Sequence, residues 1–235
     1  MKSESDAIEY HAQLSLDWEE RYTARRSFRV RHAILAALLE EAVRPGERWL
    51  DAGCGTGHFS RQIAKLGAHV TGVDGAESMI TRARSLGADA PGSVVYREAS
   101  DLSRLPDADG CFDGVLCSSV LEYLGEPERA LSELRRVMRT GGALVVTLPN
   151  ARAIVRRVLA LQFAVTSAIL NRPSPAYLAH IRHLWSPSEA RSYVSAAGYD
   201  LQSLRAGGLG VGPAWLDRQS FWGPLLFVSA RKRQG

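Results

Sequence analysis

Short apolar runs and helical stretches alternate along the chain between residues 47 and 149. The apolar runs predict strands at 48–50, 69–73, 94–96, 112–116 and 143–148. The helical stretches between them lie at about 56–66, 77–85 and 126–138. Strands and helices that alternate at this pace are typical of βαβ units, so we expect an α/β fold around a mostly parallel sheet.

Glycine, serine and proline mark where the elements are expected to begin and end. Gly67 follows the first core helix, and the run Thr140-Gly141-Gly142 predicts the end of the helix before the fifth strand. The run Ser186-Pro187-Ser188-Glu189 has the form of a capping box and predicts a later helix that ends at Gly198. Two final strands are predicted at 199–204 and 225–230, which brings the expected sheet to seven strands.

Two segments lie outside this alternating core, and we assign both to one single domain. Residues 1–46 form a predicted N-terminal helical cap, with inward-facing apolar positions at Ile34, Leu35, Leu38 and Leu39. Residues 151–185 form a predicted helical insertion after the fifth strand, and residues 186–235 complete the sheet begun in 47–150. Insertions after sheet strands tend to cover the carboxyl edge, where ligands bind in α/β folds.

Composition and charge narrow the class of protein. With 235 residues, 46% of them hydrophobic, the chain can bury one well-packed core. A net charge of +4 on scattered arginines gives no support for a nucleic-acid partner. The three cysteines lack C-x-x-C spacing, which predicts reduced thiols in a cytoplasmic protein. The acidic N-terminus predicts no export signal, and Arg156 and Arg157 argue against a membrane-spanning helix.

The most informative motif joins the first strand to the first core helix: Leu50-Asp51-Ala52-Gly53-Cys54-Gly55-Thr56-Gly57. Glycines at alternate positions let a ligand approach the backbone closely. His58 stands where the dinucleotide fingerprint G-x-G-x-x-G requires its third glycine, and this disfavours an NAD-linked dehydrogenase. Asp51, Asp74 and Asp101 lie near the ends of three successive predicted strands, which suits a nucleoside with an amino group or a positive centre.

These motifs resemble those of the class I S-adenosylmethionine (SAM)-dependent methyltransferases, in particular the ubiquinone-biosynthesis O-methyltransferases of the small-molecule branch. The resemblance rests on L-D-A-G-C-G-T-G, the V-T-G-V-D strand end, Asp101-Leu102, F-D-G-V-L at 112–116 and Gly141-Gly142. It continues in the tail through H-L-W-S-P-S-E at 183–189 and A-A-G-Y at 196–199. It implies a Rossmann-like sheet with helices on both faces, and SAM as the methyl donor.

The resemblance also implies the cofactor contacts, position by position. Gly53 and Gly55 would back the methionine and ribose portions, Asp51 would orient the methionine amino group, and Asp74 would bind the ribose hydroxyls. Met79 would lie near the adenine, which Asp101 and the Leu102 backbone would contact. Cys117 or Ser118, expected just after the fourth strand, would hold the methionine end. The implied set is completed by Cys54, Gly75, Ser100 and, from the N-terminal helix, Arg31.

One motif departs from the ubiquinone-type pattern. In those enzymes the corresponding segment resembles C-x-E-x-L-E-H, a motif that implies a divalent metal. This chain has Ser119 and Tyr123 in place of the first glutamate and the histidine. Only Glu122 is retained, and a single carboxylate is a poor site for a hard cation. We therefore expect no metal ligands here.

The candidates for the chemical step are fewer. His180 and His183, near the end of the insertion, could supply a general base, with packing or surface roles as the alternative. Glu122 could have a catalytic role, or it could be a helix-start or solvent-side acid. His58 and His69 are interpreted as structural.

The acceptor is expected to be a small, partly apolar organic molecule, methylated on oxygen rather than nitrogen. The amphipathic stretch 152–171 could wall the acceptor with Leu159, Phe163, Val165 and Ile169, pack on the core, or make peripheral contact with a membrane. The aromatic-rich N-terminal stretch, with Tyr10, His11, Trp18 and Tyr22, could close a lid or pack a helix. An N-methyltransferase and a non-catalytic cofactor-binding regulator are the alternatives, and the sequence is compatible with a monomer or a homodimer.

Overall fold

A seven-stranded sheet organises the chain, with strand order β3-β2-β1-β4-β5-β7-β6. The computed structural model describes residues 8–9, 26–87, 89–155, 158, 180–210 and 222–234. The strands are β1 (Arg48–Ala52), β2 (His69–Asp74), β3 (Ser93–Glu98), β4 (Phe112–Ser118), β5 (Met138–Pro149), β6 (Tyr199–Gly207) and β7 (Leu225–Lys232). The first five strands are mutually parallel, and β7 runs antiparallel to both β5 and β6. The strands β1 to β6 therefore present their carboxyl ends at one edge, and the predicted α/β fold is confirmed.

Helices cover both faces of this sheet. They are α1 (Arg26–Ala42), α2 (His58–Lys65), α3 (Glu77–Leu86), α4 (Pro127–Val137) and α5 (Pro187–Ala196), with a 3-10 turn at Leu121–Tyr123. Successive residues of a strand point to opposite faces of the sheet. Val115 packs in the hydrophobic cluster under α4 and α5, whereas Leu116 packs in the hydrophobic cluster under α1 and α2. In α1, Leu35, Leu38 and Leu39 are buried as predicted, and Ile34 is half-buried against the same cluster.

The glycine pair at 141–142 does not end a helix, contrary to the prediction. Helix α4 already ends at Val137, and β5 begins at Met138 and runs through both glycines. The β4–β5 register shifts between Phe112 and Gly114, opposite this irregular start of β5. Gly141 has a φ of +72°, and a Cβ on Gly142 would lie 2.5 Å from Met138 Cγ. The glycines are therefore required by a bend within the strand.

The predicted capping box is confirmed at the start of α5. The Ser186 hydroxyl accepts from the Glu189 amide, and the Glu189 carboxylate accepts from the Ser186 amide at 2.7 Å. Gly198, two residues after the helix, adopts a φ of +84°. These local contacts fix where the chain re-enters the core before β6.

The two ends of the insertion meet beside the carboxyl end of β5. The Ala151 amide donates to the Trp185 carbonyl at 2.9 Å, and the Trp185 amide donates to the Pro149 carbonyl at 3.0 Å. Arg152, predicted to be helical, lies in a turn because its amide donates to the side chain of Asn150. Residues 154, 155 and 158 are helical, whereas the apolar positions 159, 163, 165 and 169 and the N-terminal aromatic residues lie outside the described residues. Within the described ranges, no helix has the length and apolar character needed to cross a bilayer.

Candidate functional site

The glycine loop lies at the carboxyl end of β1 and is held against β2. Gly53, Gly55 and Gly57 all have positive φ angles, of +76°, +53° and +76°. The amides of Gly53 and Cys54 both donate to the Val73 carbonyl, at 2.8 and 2.9 Å. Side chains would be strained in this left-handed conformation, so the sequence needs glycine there.

The loop is also packed too closely for side chains. A Cβ on Gly53 would lie 2.1 Å from Cγ2 of Val120, and one on Gly57 would lie 2.1 Å from the Tyr96 hydroxyl. That hydroxyl donates to the Gly57 carbonyl at 3.3 Å, and burial raises the pKa of Tyr96 to about 12. Tyr96 therefore supports the loop from β3, a role that the sequence did not indicate.

Asp74 joins the glycine loop to the end of β2. One carboxylate oxygen accepts from the Gly55 amide at 2.8 Å, and the other accepts from the Ala76 amide at 2.9 Å. Burial raises the pKa of Asp74, against the lowering effect of these backbone hydrogen bonds. A carboxylate can accept about four hydrogen bonds, so Asp74 retains capacity for a ribose hydroxyl.

Asp51 lies deeper, in β1 between Gly72 of β2 and Leu116 of β4. Its side chain is buried, and it accepts a hydrogen bond from the Ser60 hydroxyl at 2.6 Å. Burial raises the pKa of Asp51 to about 7, although the hydrogen bond from Ser60 opposes the shift. Ser60 was missed by the sequence analysis, since a serine in the first turn of a helix carries no specific signal.

The residues expected on the adenine side follow the ends of β2 and β3 in the chain. Asp101 is exposed and accepts from the amide and the hydroxyl of Ser103, at 2.8 and 2.6 Å, which lowers the Asp101 pKa. A Cβ on Gly75 would lie 2.9 Å from Ile8 and 3.6 Å from the Cα of Ser100. Ile8 therefore lies over this part of the edge, an N-terminal contact that the sequence analysis missed. Met79, in α3, and Leu102, four residues after β3, are both buried.

The side chains of the two cysteines in the expected set are buried among apolar residues. Cys54 is buried with Ile80, Ala83 and Tyr96, and burial raises the pKa of its thiol. Cys117 was expected just after the fourth strand, but β4 continues to Ser118. The Cys117 thiol is fully buried in the core, and burial raises its pKa as well. Ser118 reaches the carboxyl edge, where its hydroxyl lies 3.2 Å from that of Thr147.

The segment after β4 links the glycine loop to the end of the insertion. The carbonyl of Glu122 accepts from the amides of Arg182 and His183, at 2.8 and 3.3 Å. The His183 imidazole lies with its Nε2 2.9 Å from the Leu124 carbonyl and its ring 5.8 Å from that of Trp185. The candidates Glu122 and His183 are therefore brought together, although the Glu122 side chain is itself buried.

The other candidates have different surroundings. His180 is buried within the returning end of the insertion. Arg31 donates to the Gly208 carbonyl at 3.4 Å and lies over Phe28, which places it beyond the carboxyl end of β6. His58 packs against His32 and Phe59, and His69 bonds Ser93 at the opposite edge, as expected of structural residues.

The residues after β4 do not fit a divalent metal. Two of the three positions that imply ligands in the ubiquinone-type motif are hydroxyl side chains, Ser119 and Tyr123, and the third, Glu122, is buried. Across the described part of the chain, no three histidine, cysteine, aspartate or glutamate side chains group closely enough to hold an ion. Two hydroxyl groups and one buried carboxylate are a poor ligand set for a hard cation.

Comparison with known proteins shows which family the chain belongs to. Residues 50–146 match a family model described as a methyltransferase domain. The ubiquinone biosynthesis O-methyltransferase of Hahella chejuensis is 32% identical over 168 residues, which are 71% of this chain and 68% of that enzyme.

Solved structures share the fold. The magnesium protoporphyrin IX methyltransferase of Synechocystis PCC 6803, with bound S-adenosylhomocysteine (SAH), has a TM-score of 0.68 at 20% identity, covering 97% of this chain and 99% of that one. A chain from the complex of the Haloferax volcanii Trm112 methyltransferase activator with a methyltransferase has a TM-score of 0.69 at 20% identity, covering 98% and 97%. With its glycine loop, its sheet order and these relatives, the chain belongs to the class I SAM-dependent methyltransferases.

Proposed function

We propose that this enzyme transfers the methyl group of SAM to an oxygen atom of a small, partly apolar organic acceptor. Its similarity to enzymes named as O-methyltransferases supports oxygen as the acceptor atom. The observation that carries the proposal is the position of His183, whose imidazole lies beside the segment that follows β4 at the carboxyl edge. A general base at this position suits a hydroxyl acceptor, which must lose its proton to become a good nucleophile.

The hydrogen bond of His183 fixes which nitrogen can act as a base. Nε2 lies 2.9 Å from the Leu124 carbonyl, and a carbonyl can only accept, so Nε2 carries the hydrogen. Nδ1 of the neutral ring is then the nitrogen that can accept a proton. A hydroxyl acceptor gains nucleophilicity when it loses its proton to such a base, whereas a neutral amine can attack directly.

The proposed step is an in-line displacement. Bound SAM would supply an electrophilic methyl group to the acceptor oxygen, with SAH as the leaving group. The proton of the acceptor hydroxyl passes to His183 Nδ1. The glycine loop, Asp51 and Asp74 hold the donor, so that the alignment of donor and acceptor provides much of the rate enhancement.

Aromatic side chains at the end of the insertion support a partly apolar acceptor. Trp185 is buried, and its ring lies 5.4 Å from that of Tyr193 and 5.8 Å from that of His183. We propose that residues 151–185 form the acceptor side of the site. Peripheral membrane contact through 152–171, and a monomeric or homodimeric state, remain predictions from the sequence.

A substrate panel tests the proposal. Purified enzyme with SAM is incubated with phenols, carboxylates and amines, and SAH release is measured against reactions without acceptor. We expect turnover with hydroxyl-bearing, partly apolar members. Turnover confined to amines would assign the N-methyltransferase alternative, and SAM binding without turnover of any member would favour a regulator.

Chelation is expected to leave the activity intact. Because Ser119 and Tyr123 replace two of the implied ligands, the rate in excess EDTA should equal the rate in untreated buffer. The comparison uses the panel acceptor that turns over fastest, with magnesium or zinc added back. A loss in EDTA that either metal restores would contradict this expectation.

Donor binding is expected to strengthen with pH between 5.5 and 7. We expect ionised Asp51 to bind the ammonium group of SAM. Because the pKa of Asp51 is about 7, its side chain is mostly protonated at pH 5.5 and must lose this proton before SAM binds. Affinity should therefore rise on the order of tenfold over this range, where the donor ammonium itself stays protonated. Calorimetry of SAM binding measures the affinity and, in buffers of different ionisation enthalpy, the proton released. In Asp51→Asn the dependence should be flat; a flat profile in the unmodified enzyme would contradict the role of Asp51.

A further inference from the structure

The chain bends sharply just beyond β4, at a residue whose backbone is unusual. Ser119 has a φ of +57°, and it is the one residue other than glycine with a positive φ among those that the structure describes. A residue with a Cβ occupies this left-handed region only when its surroundings hold it there. Strained backbone of this kind is often found at functional sites.

The hydroxyl of Thr147 holds the bend. Its Oγ1 accepts from the Ser119 amide at 2.8 Å and lies 3.2 Å from the Ser118 hydroxyl. Thr147 is 1% exposed and stands opposite Ser118 in the β4–β5 register. It is a polar residue in the otherwise apolar run Ala143 to Leu148, so the core carries a hydroxyl directly under the bend.

The bend determines what the following residues contact. On one side, Val120 fills the space over Gly53, because a Cβ there would lie 2.1 Å from Val120 Cγ2. On the other side, the carbonyl of Glu122 accepts hydrogen bonds from the amides of Arg182 and His183. Residues 119–122 therefore connect the loop assigned to the donor with the histidine assigned to the acceptor.

We propose that Thr147 is a positioning residue for methyl transfer. By fixing Ser119 in the left-handed conformation, its hydroxyl sets the distance and angle between the glycine loop and His183. This inference rests on the proposed function, because it assumes that His183 faces the acceptor. Small misplacements of reacting groups can reduce rates by about a hundredfold, so the effect should fall on kcat.

Four variants test this role. Thr147→Val keeps the shape of the side chain and removes the hydroxyl, so we expect kcat for the fastest panel acceptor to fall at least about tenfold, with SAH affinity within about threefold of the unmodified enzyme. Thr147→Ser retains the hydroxyl and should retain most of the activity.

Thr140→Val, at the other end of β5, is the matched control and should leave kcat unchanged. The double variant Ser119→Gly/Thr147→Val should recover most of the lost rate, because glycine adopts the bend without the threonine.

A direct readout of the backbone keeps the test independent of the acceptor. Backbone chemical shifts should report a positive φ at residue 119 in the unmodified enzyme and in Thr147→Ser, its loss in Thr147→Val, and its return in the double variant. If Thr147→Val does not fold, Ser119→Val, which leaves Thr147 intact, should lower kcat while Ser119→Gly does not.

The outcomes separate this inference from the proposed function. An unchanged kcat in Thr147→Val, or an equal loss in the Ser119→Gly background, would overturn the positioning role while the panel result stands. If the unmodified enzyme methylates none of the panel acceptors, the proposed function fails. In that case a positive φ at residue 119 that persists in Thr147→Val would also overturn the structural basis of the inference.

Discussion

Replacing Asp74 with alanine is expected to weaken SAM binding by an order of magnitude or more. The substitution removes the carboxylate that we assign to the ribose hydroxyls, and hydrogen bonds to a charged group contribute roughly 1.5–3 kcal/mol each. It also removes the acceptor for the amides of Gly55 and Ala76, so the glycine loop loses one of its anchors to β2 and keeps the bonds to the Val73 carbonyl. Calorimetric titration with SAM measures the loss.

The matched control for this variant is Asp200→Ala. Asp200 lies at the start of β6, away from the carboxyl edge, and its exposed carboxylate pairs with Arg233 at 2.8 Å. We expect this variant to bind SAM like the unmodified enzyme, and circular dichroism to show that both variants are folded. Unchanged affinity in folded Asp74→Ala would remove the ribose assignment.

Replacing His183 with alanine is expected to lower kcat by roughly a hundredfold for a hydroxyl acceptor, within the range found for general bases. The reason is the loss of Nδ1 as the proton acceptor, so the pH dependence of kcat should also flatten. SAH affinity should change little, because the loop and carboxylates that we assign to the donor are untouched. Steady-state kinetics across pH, together with SAH calorimetry, measure both effects.

His69→Ala serves as the control for His183→Ala. His69 begins β2 at the edge opposite the site, where its Nδ1 lies 2.9 Å from the Ser93 hydroxyl. It should retain the kcat of the unmodified enzyme. If His183→Ala instead loses SAH affinity with its acceptor kinetics intact, residues 180–185 cover the donor and the assignment of an acceptor pocket is wrong.

Local patterns in the sequence were sufficient for the architecture. Alternating apolar runs predicted all seven strands, and the capping box at Ser186 predicted the start of α5. These features depend on neighbours within a few residues, which a sequence displays directly. The glycine loop was also visible, because its positive φ angles can be satisfied readily only by glycine.

The errors arose where distant partners decide the local structure. Gly141 reads as a helix end, yet Met138 and Ala143 on either side of it both pair with β4, and the strand continues through the glycine. Cys117 reads as a loop residue, yet the same pairing keeps it in β4 with its thiol in the core. Ser119 and Thr147 are separated by 28 residues, so nothing in either local sequence indicates their hydrogen bond.

The acceptor side is less accessible to such reasoning than the donor side. The residues that we assign to the donor lie near strand ends, whose relative positions are set by the sheet. The acceptor residues are proposed within an amphipathic insertion, and an amphipathic pattern does not specify its partner. The sequence could therefore indicate a pocket with apolar walls, but not its shape.

Transfer from SAM labelled with ¹³C in its methyl group tests the central claim most directly. The enzyme is incubated with the labelled donor and the panel acceptors, and NMR identifies the atom that carries the label in each product. We expect the label as a methoxy carbon on a small, partly apolar acceptor, with an equal amount of SAH formed. A label found only as N-methyl or S-methyl carbon, or no labelled product from an enzyme that binds SAM, would contradict the account.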